Sequence, residues 1–336
     1  MLYSLLLALL SSDAAEWNRL AVERYQQGAL AEAENLYHSA LAAHPQPLDV
    51  AKIWSNLGAL HKRQARWQEA EDSYKRALEI RVRHVGEGHA DTAVARNNLA
   101  EVYRMQGRYL EARPLYESAL RALAPAANLD TAQVMNNLAE WHRLVGQTER
   151  AEALLRESLA IKLRLEVEVC AARNNLGRVR QAAGDSVEAE RLFHQALDEC
   201  PQFGFAMLNL GRLHREQGNL AESERWHQRA LDSSAAGDRL FLAAVEHEIA
   251  NTYASMGRLT DAEWRYARTV DLHAQMLPSG HPERISALLD YAKLKRMRKD
   301  KRSAARLEGE ARKMLAVQEA GNYKNATVSI QALRSQ

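Results

Sequence analysis

One sentence is written eight times along this chain. A Leu-Ala or Leu-Gly step, or a close variant of it, recurs with its small residue at Ala21, Gly58, Ala100, Ala139, Gly177, Gly211, Ala250 and Ala292, at successive spacings of 37, 42, 39, 38, 34, 39 and 42. Seven residues after each comes Gly28, Ala65, Gly107, Gly146, Gly184, Gly218, Gly257 or Lys299. Five further on lies a second small residue: Ala33, Ala70, Ala112, Ala151, Ala189, Ser223, Ala262 and Ala304. A period of this length marks supersecondary units that cannot bury both faces alone and must stack on their neighbours.

Each period reads as helix, tight turn, helix. The glycine falls where a helix C-terminus needs a residue free to take positive φ. The small residues let paired helices approach closely, and Tyr37, Tyr74, Tyr116, Leu155, Phe193 and Tyr266 fill the space between hairpins, with Trp17 and Trp54 opening the first two units. Only 7 prolines and 16 glycines interrupt a chain of 336 residues rich in Ala, Leu, Glu and Arg, a helical composition. The expected units lie near 15–47, 51–84, 93–126, 132–165, 170–202, 204–236, 243–276 and 285–315. The last departs from the pattern, with Lys299 in place of glycine, Glu308 in place of an aromatic and the basic run KRMRKDKR, as a solvated terminal repeat should.

The pattern W-x2-L-G/A-x2-Y-x3-G-x4-A-x3-Y/F-x2-A resembles the tetratricopeptide repeat. The NNLA step and the linkers HVGEGHADTA and LPSGHPERIS resemble its kinesin light chain-type subclass, although no coiled-coil heptads accompany them. The resemblance implies an all-α, right-handed superhelical solenoid of about eight units, the first helices lining a concave groove and the second helices the convex face. It also assigns the asparagine two before the small residue (Asn56, Asn98, Asn137, Asn175, Asn209) to holding the turn between repeats. The asparagine one position earlier (Asn97, Asn136, Asn174) then faces the groove, where an amide matches both the C=O and the N–H of an extended peptide.

The companion groove positions are charged: Glu101 and Arg104, Glu140 and Arg143, Arg178 and Gln181, Arg212 and Arg215, Lys293 and Arg296, with Lys62 and Arg63 in the second unit. Glu101 and Glu140 also have arginines three or four residues away with which to pair. The middle and late groove is therefore basic although the chain carries a net charge of only +2, which gives no global argument for nucleic acid. The expectation is a protein or peptide partner with an acidic, extended segment. The rival is an assembly subunit that uses the convex face or the ends of the array.

Catalytic chemistry finds no constellation. GxGxxG, P-loop and HExxH motifs are absent and no cofactor is implied. His61, His142 and His214 share one repeat position, at least a full unit apart, too far to converge on a metal. Cys170 and Cys200 fall at one end of the fifth hairpin, where a bridge is conceivable, but two free buried thiols are expected. Residues 1–14 hold an apolar run too short to span a bilayer, readable as an export leader lacking Lys and Arg or as a helical cap. The first reading places the protein in an exported or periplasmic compartment, the second in the cytoplasm. In the tail 316–336, TVSIQAL alternates like a short strand.

Overall fold

The computed structural model describes residues 13–234 and 238–320. The apolar run of residues 1–12 and the alternating TVSIQAL segment lie outside the described residues. Among the described residues the chain forms sixteen α-helices that follow one another as eight helix–turn–helix pairs. They are α1 Ala14–Gln26 with α2 Leu30–Ala42, α3 Pro47–Arg63 with α4 Trp67–Val85, α5 Ala90–Met105 with α6 Tyr109–Leu123, and α7 Leu129–Leu144 with α8 Thr148–Arg164. The remaining four are α9 Cys170–Ala182 with α10 Ser186–Glu199, α11 Gly204–Glu216 with α12 Leu220–Asp232, α13 Arg239–Ser255 with α14 Leu259–Met276, and α15 Pro282–Met297 with α16 Lys301–Ala320. No strand occurs among the described residues.

Local chemistry sets the ends. Asp13, Asn128, Asp185, Asp238 and His281 accept hydrogen bonds from first-turn amides, and Pro47 and Pro282 supply a fixed φ where no donor is needed. At the α7 C-terminus Gly146 takes φ +80°, and the Gln147 N–H returns 2.8 Å to the His142 carbonyl. The turn geometry persists without glycine: Ala65 and Lys299 adopt φ +57° and +62° at the equivalent positions.

The small residue of the repeated step admits a ring. A β-carbon added to Gly58, Gly177 or Gly211 would stand 2.8, 2.6 or 2.2 Å from Tyr74, Phe193 or His227. Those rings are buried between neighbouring helices, with Leu210, Leu213, Val245 and Ile249 continuing the same core from the sixth hairpin into the seventh.

Cys170 and Cys200 form a disulfide with a Cα–Cα distance of 6.1 Å, correcting the expectation of free thiols. The start of α9 and the end of α10 are adjacent because the hairpin is antiparallel, and this separation lies within the range a bridge requires.

The chain divides into two compact units. Unit 1 comprises Met1–Tyr103 and Pro114–Pro125; unit 2 comprises Arg104–Arg113 and Ala126–Gln336.

Candidate functional site

Within unit 2, guanidinium groups from successive first helices gather around two carboxylates. Arg143 grips Glu140 with Nε and Nη2 at 2.8 and 2.9 Å, one turn along α7. Arg178 on α9 reaches the same two oxygens at 3.2 Å each. Further along, Arg212 and Arg215 on α11 both bind Glu248 on α13, at 2.7 and 3.2 Å. Burial alone would raise both carboxyl pKa values, but the nearby arginines outweigh it and hold Glu140 and Glu248 far below the usual carboxylate range. For Glu140 those arginines are Arg178, Arg143 and Arg104; for Glu248 they are Arg212 and Arg215. Desolvation, with the repulsion of Arg143 and Arg212, pushes Arg178 down to about 10 despite its glutamate.

The asparagines sit differently from expectation. Asn97, Asn136 and Asn174 are only 4–6% exposed, so the first member of each pair does not face solvent. Asn98, Asn137 and Asn175, the second members, are half-buried. The pairs bond between repeats: Asn56 Nδ2 donates to Asn18 Oδ1 at 3.0 Å in unit 1, and Asn209 Nδ2 to Asn174 Oδ1 at 2.8 Å in unit 2. In these two contacts the asparagine two before the small residue donates to the asparagine three before it in the preceding unit. In α9, Asn174 also donates to Asn175 Oδ1 at 3.4 Å.

The other expected positions divide between the units. Asn97 and Glu101 belong to unit 1, where Glu101 pairs with Lys62 at 2.8 Å and Arg63 donates to the Tyr25 carbonyl. Gln181 donates to Glu216 at 2.7 Å, and Arg296 is held by Glu308, the residue standing in the aromatic position of the last hairpin. Lys293 has no ion-pair partner among the described residues. It lines a cavity of about 480 Å³ in unit 2 with Arg215, Asn251, Ser255, Tyr266 and Asp290. Tyr266 Oη donates to Asn251 Oδ1 at 2.6 Å, and Asp290 is held by His247 at 3.0 Å.

Glu248, Asn251 and Tyr266 were not singled out as groove residues from sequence. The sequence does carry a signal for Glu248: it replaces the second asparagine in the seventh repeat, so a carboxylate stands where the second to sixth units carry an amide.

The histidines serve packing and polar pairing. His61 is buried between Glu34 and Ser73, and His142 contacts Gln147 at 2.7 Å. Glu34, His61 and Glu69 lie close enough to suggest a cation site, but the Arg66 guanidinium bonds both carboxylates. No helix among the described residues is long and apolar enough to cross a membrane.

These hairpins and their spacing define an all-α helical repeat protein. Tetratricopeptide repeat models match residues 49–124, 168–236 and 202–275, and a second such model matches 131–166. The chain belongs to the tetratricopeptide repeat family. No curated protein sequence matches it. Among solved structures it is similar to BtubC (BKLC) from P. vanneervenii, with 27% identity and a TM-score of 0.50 over 56% of this chain and 79% of that one. It is also similar to a Rap protein complexed with Competence and Sporulation Factor, with 21% identity and a TM-score of 0.66 over 84% of this chain and 80% of that one. A tetratricopeptide repeat protein from Parabacteroides merdae shows 19% identity and a TM-score of 0.51 over 85% of this chain and 98% of that one. The family's broad role is that of a protein–protein interaction scaffold.

Proposed function

We propose that the protein is a non-catalytic adaptor whose first-helix face in unit 2 binds an extended, acidic segment of a protein partner. The observation that carries this reading is the clustering of Arg143, Arg178, Arg212 and Arg215, on successive first helices, around the carboxylates of Glu140 and Glu248. A partner carboxylate approaching these planar forks gains bidentate, charge-assisted hydrogen bonds without having to order them first. The half-buried amides of Asn137 and Asn175 lie on the same helices and can meet a peptide backbone, with the buried Asn136 and Asn174 beside them. Lys293 and Asn251 extend the polar lining at the far end. The kinesin light chain-type NNLA step is compatible with such recognition. A protein of similar fold, the Rap protein, has been solved complexed with Competence and Sporulation Factor.

The test is capture of partners from lysate, mapping of the bound segment, and calorimetry with that segment as a synthetic peptide. Arg178→Ala and Arg212→Ala should each weaken binding by about 1.5–3 kcal/mol, the scale of a hydrogen bond to a charged group. Both should flatten the salt dependence of affinity. The assembly reading rests on Trp264, which is 57% exposed on α14 beneath Arg265 and Arg268. Partners kept by both arginine variants but lost on Trp264→Ser would move the interaction to the second-helix surface.

A further inference from the structure

Two turns of unit 2 distant in sequence meet at a buried histidine. The turn after α5 packs on the linker before α15, where a β-carbon on Gly107 would lie 3.8 Å from Pro282 Cδ. His281, 6% exposed, occupies the joint. Its Nδ1 accepts the Glu283 N–H at 3.2 Å and so caps α15, while a backbone hydrogen bond ties the ring to Met105 on the other side. Because Nδ1 is an acceptor here, the ring is neutral with its proton on Nε2.

We propose that this contact is an acid-released clasp: protonation of His281 breaks the α15 cap and parts the 277–285 linker from the α5–α6 turn. A proton added at Nδ1 converts the acceptor into a donor facing the Glu283 N–H, so the capping bond is lost and two donors oppose one another. The buried ring has little water to solvate the new charge. The groups around it are Arg104 from the α5 side, Glu283 and Arg284 from α15, and His273 from α14, with His247 behind His273. Only Glu283 among these is anionic. Burial is the largest influence and lowers the His281 pKa from its ordinary value of 6.5; Arg104 lowers it further, against Glu283 and the Met105 bond. A depressed pKa in the closed form means that the clasp is fully stable above about pH 6.5 and loosens as pH falls below that value.

Hydrogen–deuterium exchange on the full chain, corrected for the intrinsic pH dependence of exchange, tests this at about pH 7.5 and pH 5.5, on either side of the imidazole range. Amides of residues 104–109 and 277–285 should lose protection at the lower pH by roughly tenfold more than those of α11, the effect of one hydrogen bond. His281→Asn keeps a capping oxygen without a titrating group and should hold its protection at both pH values. Arg104→Gln removes a like charge, so the His281 imidazole should titrate higher by NMR and the acid-driven loss of protection should be smaller. An equal acid response in His281→Asn and the natural chain, or no acid response in either, overturns the clasp. So does an unchanged His281 titration in Arg104→Gln, which stays informative if the asparagine variant folds poorly.

Discussion

At the scale of single residues, most repeats turn on a small residue facing a ring, and the sixth unit puts a histidine where five others carry tyrosine or phenylalanine. His227 is fully buried against Gly211; its Nδ1 lies 3.2 Å from Thr252 Oγ1, and its Nε2 has no side-chain hydrogen-bond partner among the described residues. Burial, with Arg212 and Arg215, pushes its pKa down to about 4 against the pull of Glu248 and the Leu208 backbone. Folding therefore excludes a proton that the unfolded chain binds near pH 6.5, and stability drains away as pH falls from that value toward 4. The loss reaches roughly 3 kcal/mol at the acid end, from the energy equivalent of a pKa shift. His227→Phe should remove this acid sensitivity and raise the denaturation midpoint more at acidic than at neutral pH. A variant retaining the natural slope of midpoint against pH would disprove the assignment. The ring position was readable from the period, but its occupation by His227 was not singled out from sequence. The asparagines show the other limit. Helical periodicity gives the face on which Asn136 and Asn174 lie but not their depth, and for Asn174 the amide it accepts comes from Asn209 in the next repeat, which no local pattern contains.

At the scale of elements, the turns were the most legible part of the chain because their chemistry is local. A glycine seven residues past the small step predicts a helix end, and φ +80° at Gly146 gives the reason. The two units that lack glycine keep the turn at a cost, since a β-carbon in the left-handed region is disfavoured by roughly 1–2 kcal/mol. Ala65→Gly and Lys299→Gly should therefore each stabilise the protein by about 0.5–1 kcal/mol, once the greater freedom of glycine in the unfolded chain is subtracted. Urea denaturation measures this; a loss of stability in both would mean that the side chains contribute contacts outweighing the strain. The charged ladder was legible only in half. Register marks Arg178, Arg212, Arg215 and Glu140, but neither the pairing of Arg178 with Glu140, 38 residues away, nor the role of Glu248, 36 and 33 residues from Arg212 and Arg215, follows from it. The Cys170–Cys200 bridge was likewise seen as a possibility, and only the register of α9 against α10 decides it.

At the scale of the whole molecule, stability is a sum over hairpins and the faces between neighbours, so damage should stay near where it is made. Gly146→Val places a β-branched residue at positive φ and should release amides of the fourth hairpin to hydrogen exchange while leaving α1 and α2 protected. The disulfide gives the sharper version of this test. It closes a span of 30 residues around the fifth hairpin alone, and the chain-entropy account puts such a loop at about 3–4 kcal/mol. Cys170 also lies in the core shared by Phe193, Met207 and Leu210, so the replacement must stay apolar. In Cys170→Ala with Cys200→Ala, exchange should quicken through α9 and α10 and, less strongly, in α8 and α11 that pack against them. Amides of α3 and α4 should keep their protection, and unfolding followed by exchange should separate from unfolding followed by total helix content. If protection instead falls equally in every hairpin, the array folds as a single cooperative body and the nearest-neighbour description of this chain is wrong.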